Sequence, residues 1–128
     1  SNAMETLNDI KKILINVGLY QGFDLTDPKV SEEVNHETAN MKWIKDYTSD
    51  GNWDNEFKED LKNFLDYMEV CQLALNDKNF KIASNSLFMA MIYAGNLSLI
   101  FDSIKTDIST LLSAEYKKNS FSWPSLDE

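Results

Sequence analysis

The sequence predicts an all-α protein, an antiparallel bundle of four or five helices, and three observations carry that reading. Apolar residues recur at alternating steps of three and four over a long stretch: Phe80, Ala83, Leu87, Ala90, Ala94, Leu97, Phe101, Ile104, Ile108 and Leu111. Only four Gly and two Pro interrupt 128 residues, so turns are few and elements long. Charge is segregated as well. Residues 24–69 hold thirteen acids and five lysines, whereas no charged residue occurs from 82 to 101. A chain patterned in this way separates a solvent-facing part from a core-forming part.

The first helix is expected over about 5–20, where Leu7, Ile10, Leu14 and Val17 make one apolar stripe and Ile13 widens it. Gly18 and Gly22 punctuate its end. Asp27-Pro28 then starts a second helix, about 28–48: Asp caps, and Pro fits the first turn because its missing N–H would be unpaired there. Its stripe is thin (Val30, Val34, Met41, Ile44), and 100° steps place Glu32, His36, Ala39 and Trp43 on the opposite face. Asp50-Gly51-Asn52 is a turn, and Asp54 is placed to cap a third helix over 54–76. The second half of that helix is apolar nearly all round (Tyr67, Val70, Leu73, Ala74), so it should be buried between neighbours. The polar connection 76–79 is short, which makes the following helix antiparallel. That helix starts at Phe80. Unbroken phase argues for one element to about 116; length matching to partners of about 20 residues argues for a break or bend near Gly95, the expectation adopted here. The tail 119–128 carries Phe121 and Trp123, which either dock back or meet a partner.

Length bounds the chain to one domain over 4–118, and hydrophobic content of 43% with 26% charge is that of a globular protein. Ser1-Asn2-Ala3 ahead of Met4 reads as an expression scar, and no secretory signal follows it. One cysteine, Cys71, excludes an intrachain disulfide and fits a reducing, cytoplasmic setting. A net charge of −9 with no Arg disfavours nucleic acid and removes any bidentate guanidinium clamp. The uncharged 82–101 stretch has the length of a membrane span, but Ser84, Asn85, Ser86, Asn96 and Ser98 are costly in hydrocarbon. It reads instead as the central helix of a soluble bundle.

Chemistry is sparsely signalled. With His36 as the only histidine, a Ser-His-Asp, Cys-His or two-His metal site within one chain is strained or impossible. Glu33-x-x-His36 is half of a di-iron bundle motif, and the second half is missing. Residues 46–57 partly match an EF-hand loop: Asp46, Thr48, Asp50, Gly51 and Asp54 fit positions 1, 3, 5, 6 and 9, but Phe57 stands where the bidentate Glu belongs. No metal and no cofactor are expected. Asn79-Phe80-x-x-Ala83 followed by Phe88-x-Ala90-x-x-Tyr93-Ala94 resembles helix pairs of HEPN-type bundles and tetratricopeptide-like folds. The HEPN ribonuclease motif requires an Arg ahead of its His; none is present, so the resemblance implies a helical accessory fold without catalytic residues.

These readings point to a non-enzymatic acidic binding protein. The leading expectation is an immunity-type inhibitor, as in bacterial toxin systems, that sequesters a basic toxin or nuclease. Glu32, Trp43, Asp46, Asp50, Trp53, Asp54, Glu56, Glu59 and Asp60 are its expected contact residues. Electrostatic attraction would speed association and the two aromatics would supply affinity. The alternative is a scaffold or adaptor that self-associates, for example as a homodimer, through the 80–111 stripe or the tail.

Overall fold

The computed structural model describes residues 3–30 and 43–126. Among these residues there is no strand, and three helices follow one another: α1 (Leu7–Tyr20), α2 (Trp53–Asn76) and α3 (Phe80–Ser113). The all-α class is the one the sequence predicts. Residues 28–30 are also helical, and the Asp27 carboxylate accepts the Lys29 N–H at 2.9 Å, as its capping role requires. The rest of the expected second helix, 31–42, lies outside the described residues. Its expected end at 48 is corrected, because residues 43–52 form no helix. The Ile44 and Lys45 amides donate to the Asp107 side chain instead of to helical carbonyls.

The chain divides into two compact units, Ser1–Trp53 with Ser103–Glu128, and Asp54–Asp102. In the first unit, α1 opens on a capping box. Thr6 Oγ1 accepts the Asp9 N–H at 3.2 Å, and Asp9 Oδ2 accepts the Thr6 N–H at 3.2 Å. α1 closes at Gly22, whose φ of 90° lets the Phe23 N–H turn back to the Gly18 carbonyl at 3.0 Å. Phe23, Leu25, Trp43, Tyr47, Trp53 and Leu111 are buried in this unit. Gln21, also buried, ties α1 to the end of α3: its Nε2 donates to the Leu111 carbonyl at 2.7 Å, and its own carbonyl accepts the Lys118 N–H at 2.8 Å. The tail docks back on the Leu111 carbonyl through Trp123 Nε1 at 3.1 Å.

In the second unit, α2 and α3 pack antiparallel. Lys78 takes a φ of 55°, the Asn79 N–H returns to the Ala74 carbonyl at 2.8 Å, and the Lys78 N–H returns to the Leu75 carbonyl at 3.0 Å. This is a Schellman end built on a lysine. Asn79 then caps α3, accepting the Ile82 N–H at 3.2 Å. The two helices meet through small residues near the turn, with Cys71, Ala74 and Ala83 in one buried cluster. Tyr67 stacks on Tyr93 at 5.8 Å, and Phe57 meets Phe101 edge-on at 5.9 Å.

Two expectations about α3 are corrected. The helix runs through Gly95 without a break, since its first part pairs with α2 while residues 103–113 belong to the other unit. Two successive partners remove the length mismatch that argued for a bend. Nor is the 82–101 stretch an interior helix. Phe88 is 58% exposed and Leu99 61%, and Leu73 on α2 is 57% exposed where burial was expected.

Candidate functional site

The acids and tryptophans expected to form one contact surface have different fates. Trp53 is 1% exposed and Trp43 7%, so neither is a surface anchor. Both are core residues because aromatic neighbours are at hand. Trp43 packs on Phe23 at 5.6 Å and on Tyr116 at 6.1 Å, and Trp53 meets Tyr47 at 5.3 Å. Lys45 Nζ sits 4.9 Å over the Trp53 ring. Asp46 and Asp50 are exposed in the first unit; Glu56 and Glu59 are exposed, and Asp54 and Asp60 half-buried, in the second. Glu32 and His36, with the Glu33-x-x-His36 half-motif, lie outside the described residues. Asp54 does not cap α2 but sits in its first turn; the Asn8 side chain does the capping, accepting the Trp53 N–H at 3.0 Å.

The EF-hand-like loop is organised by an internal cation. Lys11 Nζ donates to the Thr48 carbonyl at 2.6 Å and to the Gly51 carbonyl at 2.5 Å. Asp46 turns inward on its own loop: Oδ1 accepts the Thr48 N–H at 2.9 Å and the Thr48 hydroxyl at 2.6 Å. These bonds, the hydroxyl first, hold its carboxyl below the usual carboxylate range. The Asp46 carbonyl accepts Trp53 Nε1 at 2.9 Å. A Cβ on Gly51 would fall on that same carbonyl oxygen, which accounts for the glycine. Among the described residues no three His, Cys, Asp or Glu side chains gather as a metal site.

Asp107 is the group that sequence reasoning missed in this unit. It is fully buried and accepts three hydrogen bonds, from Ile44 N–H at 2.8 Å, Lys45 N–H at 3.0 Å and the Tyr47 hydroxyl at 2.7 Å. Burial, then the Asp107 charge, push the Tyr47 hydroxyl far above its ordinary range, so it stays a donor. Only its phase marked Asp107 beforehand: it falls between Ile104 and Leu111 at steps of three and four, an acid on an apolar stripe.

The surface with the strongest functional character is apolar, and it belongs wholly to the second unit. On α2, Leu61, Met68 and Leu75 are seven apart, with Leu65 and Gln72 between them. On α3, Phe80, Leu87, Ala94 and Phe101 are seven apart, with Met91 between them. The Phe57–Phe101 contact shows that these two stripes flank the same side of the helix pair, and the Tyr67–Tyr93 stack marks the other side. Leu65, Met68, Leu75, Phe80, Leu87, Met91 and Phe101 are between 39% (Met68) and 65% (Phe80) exposed. No charged residue occurs at the stripe positions. Glu56, Glu59 and Asp66 take the reverse side of α2, where Asp66 pairs with Lys62 at 2.7 Å. The sequence signalled half of this surface, in the 80–87–94–101 positions, but assigned them to the core.

α3 is also, among the described residues, the one helix long and apolar enough to cross a membrane; 22% of its most apolar window is buried. No curated protein matches the sequence. Residues 7–125 match the profile of DUF6853, a family of unknown function, and the chain belongs to that family.

Proposed function

We propose that this protein is a non-catalytic helical adaptor that binds a protein partner through the apolar side of the α2–α3 pair. The observation that carries this reading is the set of seven large apolar side chains, 39–65% exposed, on one side of two packed helices with no charge at the stripe positions. Soluble monomers rarely leave a contiguous apolar patch beyond a few hundred Å². Leu, Met and Phe held on rigid helices are suited to fill pockets or grooves on a partner. The acids on the reverse side of α2 keep the unit soluble and repel acidic competitors. A single buried Cys71 suits a cytoplasmic setting.

The competing reading is capture of a basic toxin or nuclease domain by the acidic side. It keeps Glu56 and Glu59 as exposed contacts, but Trp43 and Trp53 are not available to it as anchors. A photo-crosslinking residue placed at Leu87 or at Glu59 separates the two in cells expressing the gene. Discrete adducts from Leu87 and none from Glu59 are expected. Adducts from Glu59 alone would overturn the adaptor reading in favour of the inhibitor.

A further inference from the structure

We infer that the occupant of this apolar side is a second copy of the same chain, so that two α2–α3 pairs close into a four-helix bundle. The inference rests on the adaptor reading and names its partner. Area is the first argument. A large side chain offers about 200 Å² when fully exposed, so the seven residues present about 700 Å². Neighbouring Ser84, Ala94 and Ser98 bring the face to about 800 Å², one partner's share of a standard stable interface.

Periodicity is the second argument. The α2 positions step by four and three from Leu61 to Leu75, and the α3 positions do so from Phe80 to Phe101. Two adjacent antiparallel helices carrying such seams are half of a left-handed four-helix bundle, in which knobs of one pair enter holes of the other. The seams are also self-complementary in size. α2 offers a ridge of large side chains (Leu61, Leu65, Met68, Leu75), whereas α3 places Ser84, Ala94 and Ser98 between its large residues. Large residues of one copy seat against small ones of the other, as close packing needs. A two-fold arrangement permits this, because the same patch serves both copies. Charge is the third argument. At a net of −9 two copies repel, but Glu56, Glu59 and Asp66 of α2 lie on the reverse side from its seam.

Sedimentation equilibrium of the full chain, from about 1 to about 200 μM, tests the inference. Wild type should be a dimer in the low micromolar range. Leu87→Glu and Met91→Lys, both at exposed positions, should weaken it at least 100-fold with unchanged helical circular dichroism. Val70→Glu, exposed on the Tyr67 side, should leave it intact. A wild-type monomer throughout the range would overturn the inference, as would dimers that ignore both substitutions. A chain that is monomeric in buffer but floats with phosphatidylcholine–phosphatidylglycerol vesicles would overturn it in favour of a lipid surface. The adaptor reading is separable: a monomer whose bis-ANS fluorescence is abolished by Met91→Lys keeps an open apolar docking face, whereas a monomer that binds no dye loses both readings.

Discussion

Asp107→Asn tests whether one buried carboxylate holds the irregular 43–53 segment in place. The side chain is fully buried and takes three donors, two of them backbone amides that no helix or strand satisfies. Hydrogen bonds to a charged acceptor contribute about 1.5–3 kcal/mol each, and a buried donor left without a partner costs about 1–3 kcal/mol. Asn keeps one acceptor oxygen for Ile44 but turns an NH₂ toward the Lys45 amide, so about 2 kcal/mol should be lost. Asp107→Ala strands all three donors and should cost about 3–5 kcal/mol. Urea unfolding followed by tryptophan fluorescence reads this unit, since Trp43, Trp53 and Trp123 all belong to it. The Asn variant should shift the midpoint by about 1 M. Tyr47→Phe alone should cost about 1.5 kcal/mol, and markedly less in the Asn background, because the two groups share one bond. An unmoved midpoint for Asp107→Asn, or strict additivity in the double variant, would refute the reasoning.

Gly95→Ala should raise stability by about 1 kcal/mol, since Gly95 lies within α3 and an added Cβ meets nothing within 4 Å; thermal melts by circular dichroism check it. Lys78→Gly should stabilise the helix pair by about 1 kcal/mol by relieving a left-handed lysine, and no gain in the same assay would contradict the Schellman end described above. Asp46 has a folded pKa held below its ordinary value of 3.8, so the stability it contributes is present above that value and is lost as pH falls through the lower, folded one. Thr48→Val, which deletes the hydroxyl donor, should therefore flatten the loss of stability below about pH 4 relative to wild type; parallel curves would count against the assignment.

How far the fold was legible depends on what a stripe can say. Helical phase gave α1, α2 and α3 to within a few residues, because each carries apolar residues at steps of three and four and ends at a polar turn. Phase does not say what a stripe faces. The ten-position stripe from Phe80 to Leu111 mixes two faces. Ala83, Ala90, Ile104 and Leu111 are buried, while Phe80, Leu87 and Phe101 are more than half or half exposed. The inward face is turned toward Ser86 and Ile100, both buried, and a serine gave no apolar signal of that rotation. Trp43 and Trp53 misled for a related reason: acids flank them in sequence, but their neighbours in space are Phe23, Tyr116 and Tyr47. Asp107 shows the converse, an acid whose three donors come from about sixty residues away.

Burial in the second unit is thin where α2 and α3 meet. Its fully covered side chains near the turn are Cys71, Ala74, Ala83, Ser86 and Ala90. None offers the 1.5–3 kcal/mol that a buried Leu, Ile or Phe contributes, whereas seven residues that would do so lie exposed on the apolar side (about 25 cal/mol per Å² of covered surface). Most helix stability in proteins comes from packing an apolar face rather than from intrinsic propensity. The amides of α2 and of residues 80–102 should therefore open more readily than those of α1, and their protection should depend on what covers the face. Hydrogen exchange at two protein concentrations, about 2 μM and about 200 μM, measures this, since a partner that binds only the folded state stabilises it by mass action. Slower exchange at the higher concentration, confined to α2 and 80–102 and absent in Met91→Lys, is the expected result. Protection equal to that of α1 at both concentrations would mean that the small-residue seam suffices alone, and the face would then have no energetic need of an occupant.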